Sequence, residues 1–164
     1  MSVNKVLLSD CPFVPWRNGG GRTRELLAWP DPIDWLVRVS VAEIEADGPF
    51  SPFAGVERAI ALLDGAGIML ELPGGEQHLR PGDNALVFDG EAAPMCRLVD
   101  GPTRDLNLMV RREAGRAVMR HTPIPTGPGW HAVFTGDALY WSDRAVEYLP
   151  LNTVRWWLAL DDGR

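Results

Sequence analysis

The chain has 164 residues, enough for one compact domain and too few for several full-sized ones. Its 17 glycines and 14 prolines exceed the combined average of about 12%, which argues against a helical bundle and for short strands joined by tight turns. With 46% hydrophobic residues, seven Trp and a net charge of −6, the composition argues against disorder and against a non-specific nucleic-acid surface.

The N-terminal stretch MSVNKVLLSDCPFVPW carries an apolar run only from Val6 to Leu8, too short for a signal peptide or a membrane span. A cytoplasmic location with reduced thiols is the expectation. Cys11 and Cys96 form no C-x-x-C pair, so neither a disulfide framework nor a zinc knuckle is expected. Next comes the block Trp16-Arg17-Asn18-Gly19-Gly20-Gly21-Arg22-Thr23-Arg24-Glu25-Leu26. Its successive glycines let backbone N–H groups approach a ligand closely; a hairpin or bulge accounts for them without one. The glycine spacings of phosphate-binding loops are absent.

From Trp35 to Val41, Val37, Val39 and Val41 fall on one face and Arg38 and Ser40 on the other, the alternation of a strand. Val56 to Leu63 fits a helical template too, but Pro52 and the flanking Gly55 and Gly65 predict a strand entering a turn. Residues 68–72 and 85–88 read as further strands. In 104–110, Leu106 and Leu108 oppose Asp105 and Asn107. Strands predicted at 115–121, 131–135 and 154–160 complete an all-β pattern, a barrel or a sandwich.

Arg38 and Ser40 share one strand face, and Asp105 and Asn107 another. On an outer face they are ordinary solvated side chains. Lining an interior, they make a polar pocket in which a buried arginine demands an anion, since an unpaired buried charge costs several kcal/mol (roughly,). The three histidines, His78, His121 and His131, are well separated and form no close ligand pair. No G-x-S-x-G elbow surrounds Ser40, Ser51 or Ser142. The pairs Glu43/Glu45 and Asp161/Asp162 read as solvated faces. Lys5 is the lone lysine among the cations, which leaves Schiff-base chemistry only a residue beside the N-terminus.

Four blocks together resemble the HutD/Ves family of cupin-like proteins: PWRNGGGRTREL from Pro15, WLVRVSVAEIEADGPFSPFAGVER from Trp35, FDG from Phe88 and GPTRDLNLMVRR from Gly101. Their order and spacing carry the likeness over residues 10–112, and 113–164 follow through their strand pattern. The resemblance implies an all-β, cupin-like β-barrel of the bicupin, RmlC-like jelly-roll type. Residues 1–164 would form one compact unit, with 113–164 completing a second barrel, and the unit would pair as a homodimer. Metal-dependent cupins carry H-x-H with a Glu in one motif and another His in a second. Neither set stands here, so no metal or other cofactor is expected.

Members of the family are associated with bacterial histidine utilisation through binding of a small metabolite, and others are grouped as stress-related proteins. Carried over by motif position, the ligand-binding residues are Asn18, Thr23 and Glu25, then Arg38, Ser40 and Arg58, and finally Asp105 and Asn107. Trp16, Pro49, Phe50 and Phe53 are expected to wall the barrel. The expected function is binding of a small carboxylate-bearing metabolite, with neither nucleic acid nor membrane as partner. Arg38 or Arg58 pairs with the carboxylate, and Ser40, Thr23 and Asn107 supply neutral hydrogen bonds. Asp105 or Glu25 orients the arginine or receives a ligand N–H. The rival expectation is a small-molecule isomerase, lyase or hydrolase using Glu25 or Asp105 as general base beside an anion-stabilising arginine.

Overall fold

A computed structural model describes residues 3–125, 127–145 and 153–163. The described chain is all-β apart from two short 3-10 turns, and its strands form three antiparallel sheets. The central sheet has six strands in the order β2 (Phe13–Pro15), β3 (Gly21–Trp29), β4 (Val37–Ile44), β11 (Thr103–Arg111), β6 (Val56–Asp64) and β9 (Leu86–Asp89). A five-stranded sheet runs β1 (Asn4–Leu7), β14 (Ala138–Ser142), β13 (His131–Phe134), β15 (Trp156–Asp161) and β12 (Arg116–Arg120). A four-stranded sheet runs β5 (Gly48–Pro49), β10 (Met95–Leu98), β7 (Ile68–Leu72) and β8 (Gly75–Leu79).

Each predicted strand overlaps an observed one, including the ambiguous 56–63, which lies in β6. The glycine block makes the turn between β2 and β3 with Trp16–Gly20 and then opens β3 from Gly21. There Asn18 Oδ1 accepts the Gly20 N–H at 2.8 Å, and Gly19 adopts a φ of +75°, which glycine reaches without strain. β3 itself is invisible to a period-two reading because its register against β4 shifts between Glu25 and Leu27. Such a bulge turns neighbouring side chains toward one side, and both Leu26 and Leu27 pack toward the same core.

The central sheet is buried on both faces. One face presents Val37, Val39 and Val41 from β4, Ala59 and Ala61 from β6, and Leu106, Leu108 and Val110 from β11. These meet Met119, Trp130, Phe134, Leu139, Trp156 and Leu158 of the five-stranded layer in the larger core. On the other face Ile60 and Leu62 join Ile68, Leu70, Phe88 and Cys96 in a second core beneath the four-stranded sheet. Buried Glu57 helps fasten the layers, accepting the Ala117 N–H at 3.0 Å and lying 3.6 Å from Arg112.

The expected closed barrel is not what forms: the sheets stay open and stack instead. Edge strands β2 and β5 contain Pro15 and Pro49, which have no N–H to offer a further strand. Both edges are also too short to extend a ladder. No helix among the described residues is long and apolar enough to cross a membrane.

Leu108 is fully buried between the two layers of the larger core, whereas Val87 on β9 is 47% exposed. Leu108→Ala should therefore lower unfolding free energy by about 2–5 kcal/mol. Val87→Ala should stay within about 0.5 kcal/mol of the parent. Urea denaturation followed by tryptophan fluorescence reads both, as a fall in midpoint at unchanged slope for the first variant alone.

Candidate functional site

Because side chains alternate along a strand, the residues between the core-facing positions of β4, β6 and β11 share the opposite face. The registers align them in rows. Thr23, Ala42, Asp105 and Leu62 form one row, and Glu25, Ser40, Asn107 and Ile60 the next. Ala28, Arg38, Met109, Arg58 and Phe88 form the third. Where Ile60 and Leu62 lie, the four-stranded sheet covers the face. Toward β3 and β4 the cover is the Trp16–Asn18 turn and the Pro49–Phe53 segment, and a half-enclosed cavity of about 840 Å³ lies between them and the sheet.

All eight residues carried over from the family resemblance line this cavity. They are not equivalent. Asn18 spends its side-chain oxygen on its own turn. Thr23 Oγ1 accepts the Trp16 indole N–H at 2.8 Å and retains a hydroxyl proton to donate. Ser40 and Asn107 are buried, with 5% and 4% of their surface exposed. Arg38 Nε lies 2.7 Å from Glu25 Oε1, an ion pair whose N–H is not aimed at the oxygen, and both side chains keep substantial solvent contact. Surface pairs of this kind contribute on the order of 0–1 kcal/mol.

Arg58 is different. It is 6% exposed, and among the described residues no carboxylate lies within 4 Å of it. Its guanidinium carbon sits 5.1, 5.2 and 5.6 Å from the ring centres of Phe50, Phe88 and Phe53. Electron-rich ring faces attract a cation by roughly 0.5–2 kcal/mol each. Nη2 donates to Asn107 Oδ1 at 3.0 Å, while Nε has no hydrogen-bond partner. Burial lowers the pKa of Arg58 to about 10, so the group remains charged at neutral pH.

Asn107 Nδ2 in turn donates to Asp105 Oδ1, so one amide links the guanidinium to the acid. Asp105 is 1% exposed, and its Oδ2 is without a partner. Burial raises the pKa of Asp105 to about 7, an effect that the Arg58 charge and the Asn107 hydrogen bond only partly oppose. Cys96, in the core beneath, is pushed up to about 12 by its own burial and then by the Asp105 charge, so it stays a thiol. Among the described residues no group of three or more His, Cys, Asp or Glu is placed to hold a metal ion. His121 instead stacks on Trp156 at 3.8 Å between ring centres.

Sequence reasoning did not find the aromatic cage or Met109. Phe50 and Phe53 were expected only as walls. Phe88 reaches Arg58 because β9 pairs with β6 in a register that sets the two residues opposite each other. Met109 separates Arg38 from Arg58 in their shared row; its place on the alternating 104–110 face was the one available signal.

The Asp105 shift has a definite sign in stability. Its folded pKa lies above the ordinary carboxylate value, so the folded state holds a proton that the unfolded chain has released. That contribution is complete below about pH 4 and is lost as pH rises through about 7. Asp105→Asn, measured against the parent by urea unfolding at acid and mildly alkaline pH, should gain relative stability as pH rises. The gain should be on the order of a few kcal/mol.

A sequence model described as HutD matches residues 8–147. Over 113 residues, 66% of this chain and 58% of the relative, the sequence is 41% identical to an uncharacterised 21.2 kDa protein from the hutC 3′ region of Pseudomonas putida. Over 111 residues, with the same coverage of each chain, it is 39% identical to Protein Ves of Citrobacter koseri. The chain thus spans 58% of the length of these curated relatives. The solved structure of HutD from Pseudomonas fluorescens SBW25 superposes with a TM-score of 0.83 at 25% identity, covering 97% of this chain and 98% of that one. Ectoine synthase from P. lautus, at 16% identity and a TM-score of 0.53 over 68% of this chain and 78% of its own, shares the fold alone. The family match along most of the sequence, joined to a fold held in common with HutD from end to end, makes this chain a member of the HutD family.

Proposed function

We propose that the protein binds a small carboxylate-bearing metabolite in the 840 Å³ cavity, on a cupin-like scaffold, and acts through that binding in histidine utilisation. One observation carries the reading: Arg58 is a buried guanidinium whose cage is aromatic and whose nearest hydrogen-bond partner is a neutral amide. Isolating such a charge costs several kcal/mol (roughly,). Ring faces offset part of that cost, and a ligand carboxylate on the forked N–H donors would offset the rest. Arg38, oriented by Glu25 nearer the mouth, would meet the far end of the ligand, with Ser40 and Thr23 as neutral hydrogen-bonding groups. The pathway assignment rests on the family and on the hutC-region name of the Pseudomonas putida relative. Urocanate and N-formylglutamate are the first candidates.

The rival, a cupin-fold isomerase, lyase or hydrolase, draws its support from Asp105. A carboxyl with a pKa raised to about 7 beside an arginine suits proton transfer at neutral pH. Incubation with the two acids, with and without chelator and followed by NMR, separates the readings. A binding protein returns both acids unchanged.

Binding to the folded state alone stabilises it by about 2.7 kcal/mol at a hundredfold excess over Kd. For a chain of this size that is a rise in Tm of roughly 5–10 °C. Thermal unfolding with urocanate and N-formylglutamate should show this rise for the parent. It should be lost in Arg58→Ala and Arg38→Ala, and the absence of any shift with pathway acids would count against the reading.

A further inference from the structure

We propose that Asp105 enters the site as a hydrogen-bond donor: the ligand carboxylate is held between the Arg58 guanidinium and the protonated Asp105 carboxyl, so this end of the cavity takes an acceptor-only anion. The inference rests on the carboxylate-binding reading and deepens it by assigning the anchor's second member. It differs from the sequence expectation, in which an acid at position 105 orients an arginine or accepts a ligand N–H.

The argument is one of hydrogen-bond direction. Asn107 is committed on both sides of its amide, its oxygen to Arg58 and its nitrogen to Asp105 Oδ1. Three buried polar atoms of cavity-lining residues lack a hydrogen bond, Arg38 Nε, Arg58 Nε and Asp105 Oδ2, and of these Arg38 Nε has the Glu25 carboxylate at 2.7 Å. Leaving such an atom unsatisfied costs about 1–3 kcal/mol. A ligand carboxylate has only acceptors. It can satisfy the arginine directly, but it can satisfy Asp105 only if that oxygen carries a proton. The resulting O–H···O⁻ bond belongs to the short, strong class.

Charge balance points the same way. The charged groups lining the cavity with Asp105 are Arg58 from β6, Arg38 from β4, Glu25 from β3 and Arg17 from the β2–β3 turn, which is exposed and so screened by solvent, and the Cys96 thiol of β10 lies beneath. Arg38 and Glu25 neutralise each other. With Asp105 neutral, Arg58 keeps one unbalanced positive charge, and a monocarboxylate cancels it. With Asp105 ionised, Arg58 is already balanced through Asn107, and an entering anion would meet a like charge. A carboxyl whose burial holds its pKa at about 7 can take up the required proton from solvent at neutral pH. Binding is therefore anion plus proton, and affinity falls as pH rises beyond that value.

Acetate is the probe, because it remains fully ionised between about pH 6 and 8.5, so that any change in its affinity belongs to the protein. Its Kd, read from amide shifts in NMR titrations, should be nearly constant at the acid end and should weaken toward tenfold per pH unit at the alkaline end. Asp105→Asn, which keeps an N–H donor in place of the carboxyl proton, should bind acetate with a Kd that no longer follows pH. Arg58→Ala should not bind at any pH. A parent Kd that is flat over the whole range overturns the proposal, as does loss of acetate binding in a folded Asp105→Asn. The parent profile decides the matter even if that variant fails to fold. If acetate, urocanate and N-formylglutamate all leave the parent spectrum unmoved, the binding reading itself falls, a result distinct from pH-independent binding.

Discussion

Strands β4, β6 and β11 are buried on both sides, and that single constraint organises the molecule. A strand with one wet face can place any polar residue there at little cost. A strand buried twice cannot, because each polar atom turned inward loses water and must find a partner. The central sheet resolves this by dividing its two faces. One is filled with valine, alanine and leucine against the five-stranded layer. The other changes along its length, from isoleucine and leucine beneath the four-stranded sheet to arginine, serine, asparagine and aspartate beneath the loops. The site is where the second face stops being covered by a sheet.

Within that polar stretch the groups are held by direction as much as by distance. Asn107 receives from Arg58 and gives to Asp105, so its amide is fixed by both neighbours and fixes them in return. The phenyl rings around Arg58 do what a carboxylate would do for stability without cancelling its charge. An aspartate or glutamate in their place would have made a conventional buried ion pair with no remaining pull on an anion. Aromatic packing keeps the positive potential directed at the cavity.

The two arginines of the shared row therefore have different work. Arg38 has a fixed acid beside it and solvent within reach, so its field is locally screened. Arg58 has neither. Their separation by Met109 covers two strand spacings of about 4.8 Å each, the distance that the proposed ligand, with an acidic head and a polar tail, would have to bridge. The same overall fold in HutD of Pseudomonas fluorescens at 25% identity shows that the layered frame tolerates extensive change in sequence. Packing volume and alternation are enough to rebuild it.

Much of this was legible in the residues themselves. Glycine and proline punctuation with period-two runs determined an all-β chain, and alternation separated Arg38 and Ser40 from Val37, Val39 and Val41. The chemistry of guanidinium and the family motifs pointed to an anion site built from residues that the fold does gather around one cavity. Local periodicity assigns a side chain to a face but says nothing of what lies across from it. Only the tertiary structure decided that the sheets stack open rather than close, that a bulge in β3 turns Leu26 and Leu27 to one core, and that Phe88 meets Arg58 across a strand pair. It alone decided that Arg58 rather than Arg38 is the buried charge, because burial is conferred by segments distant along the chain, and solvation sets the energy of an ion more strongly than its neighbours in sequence.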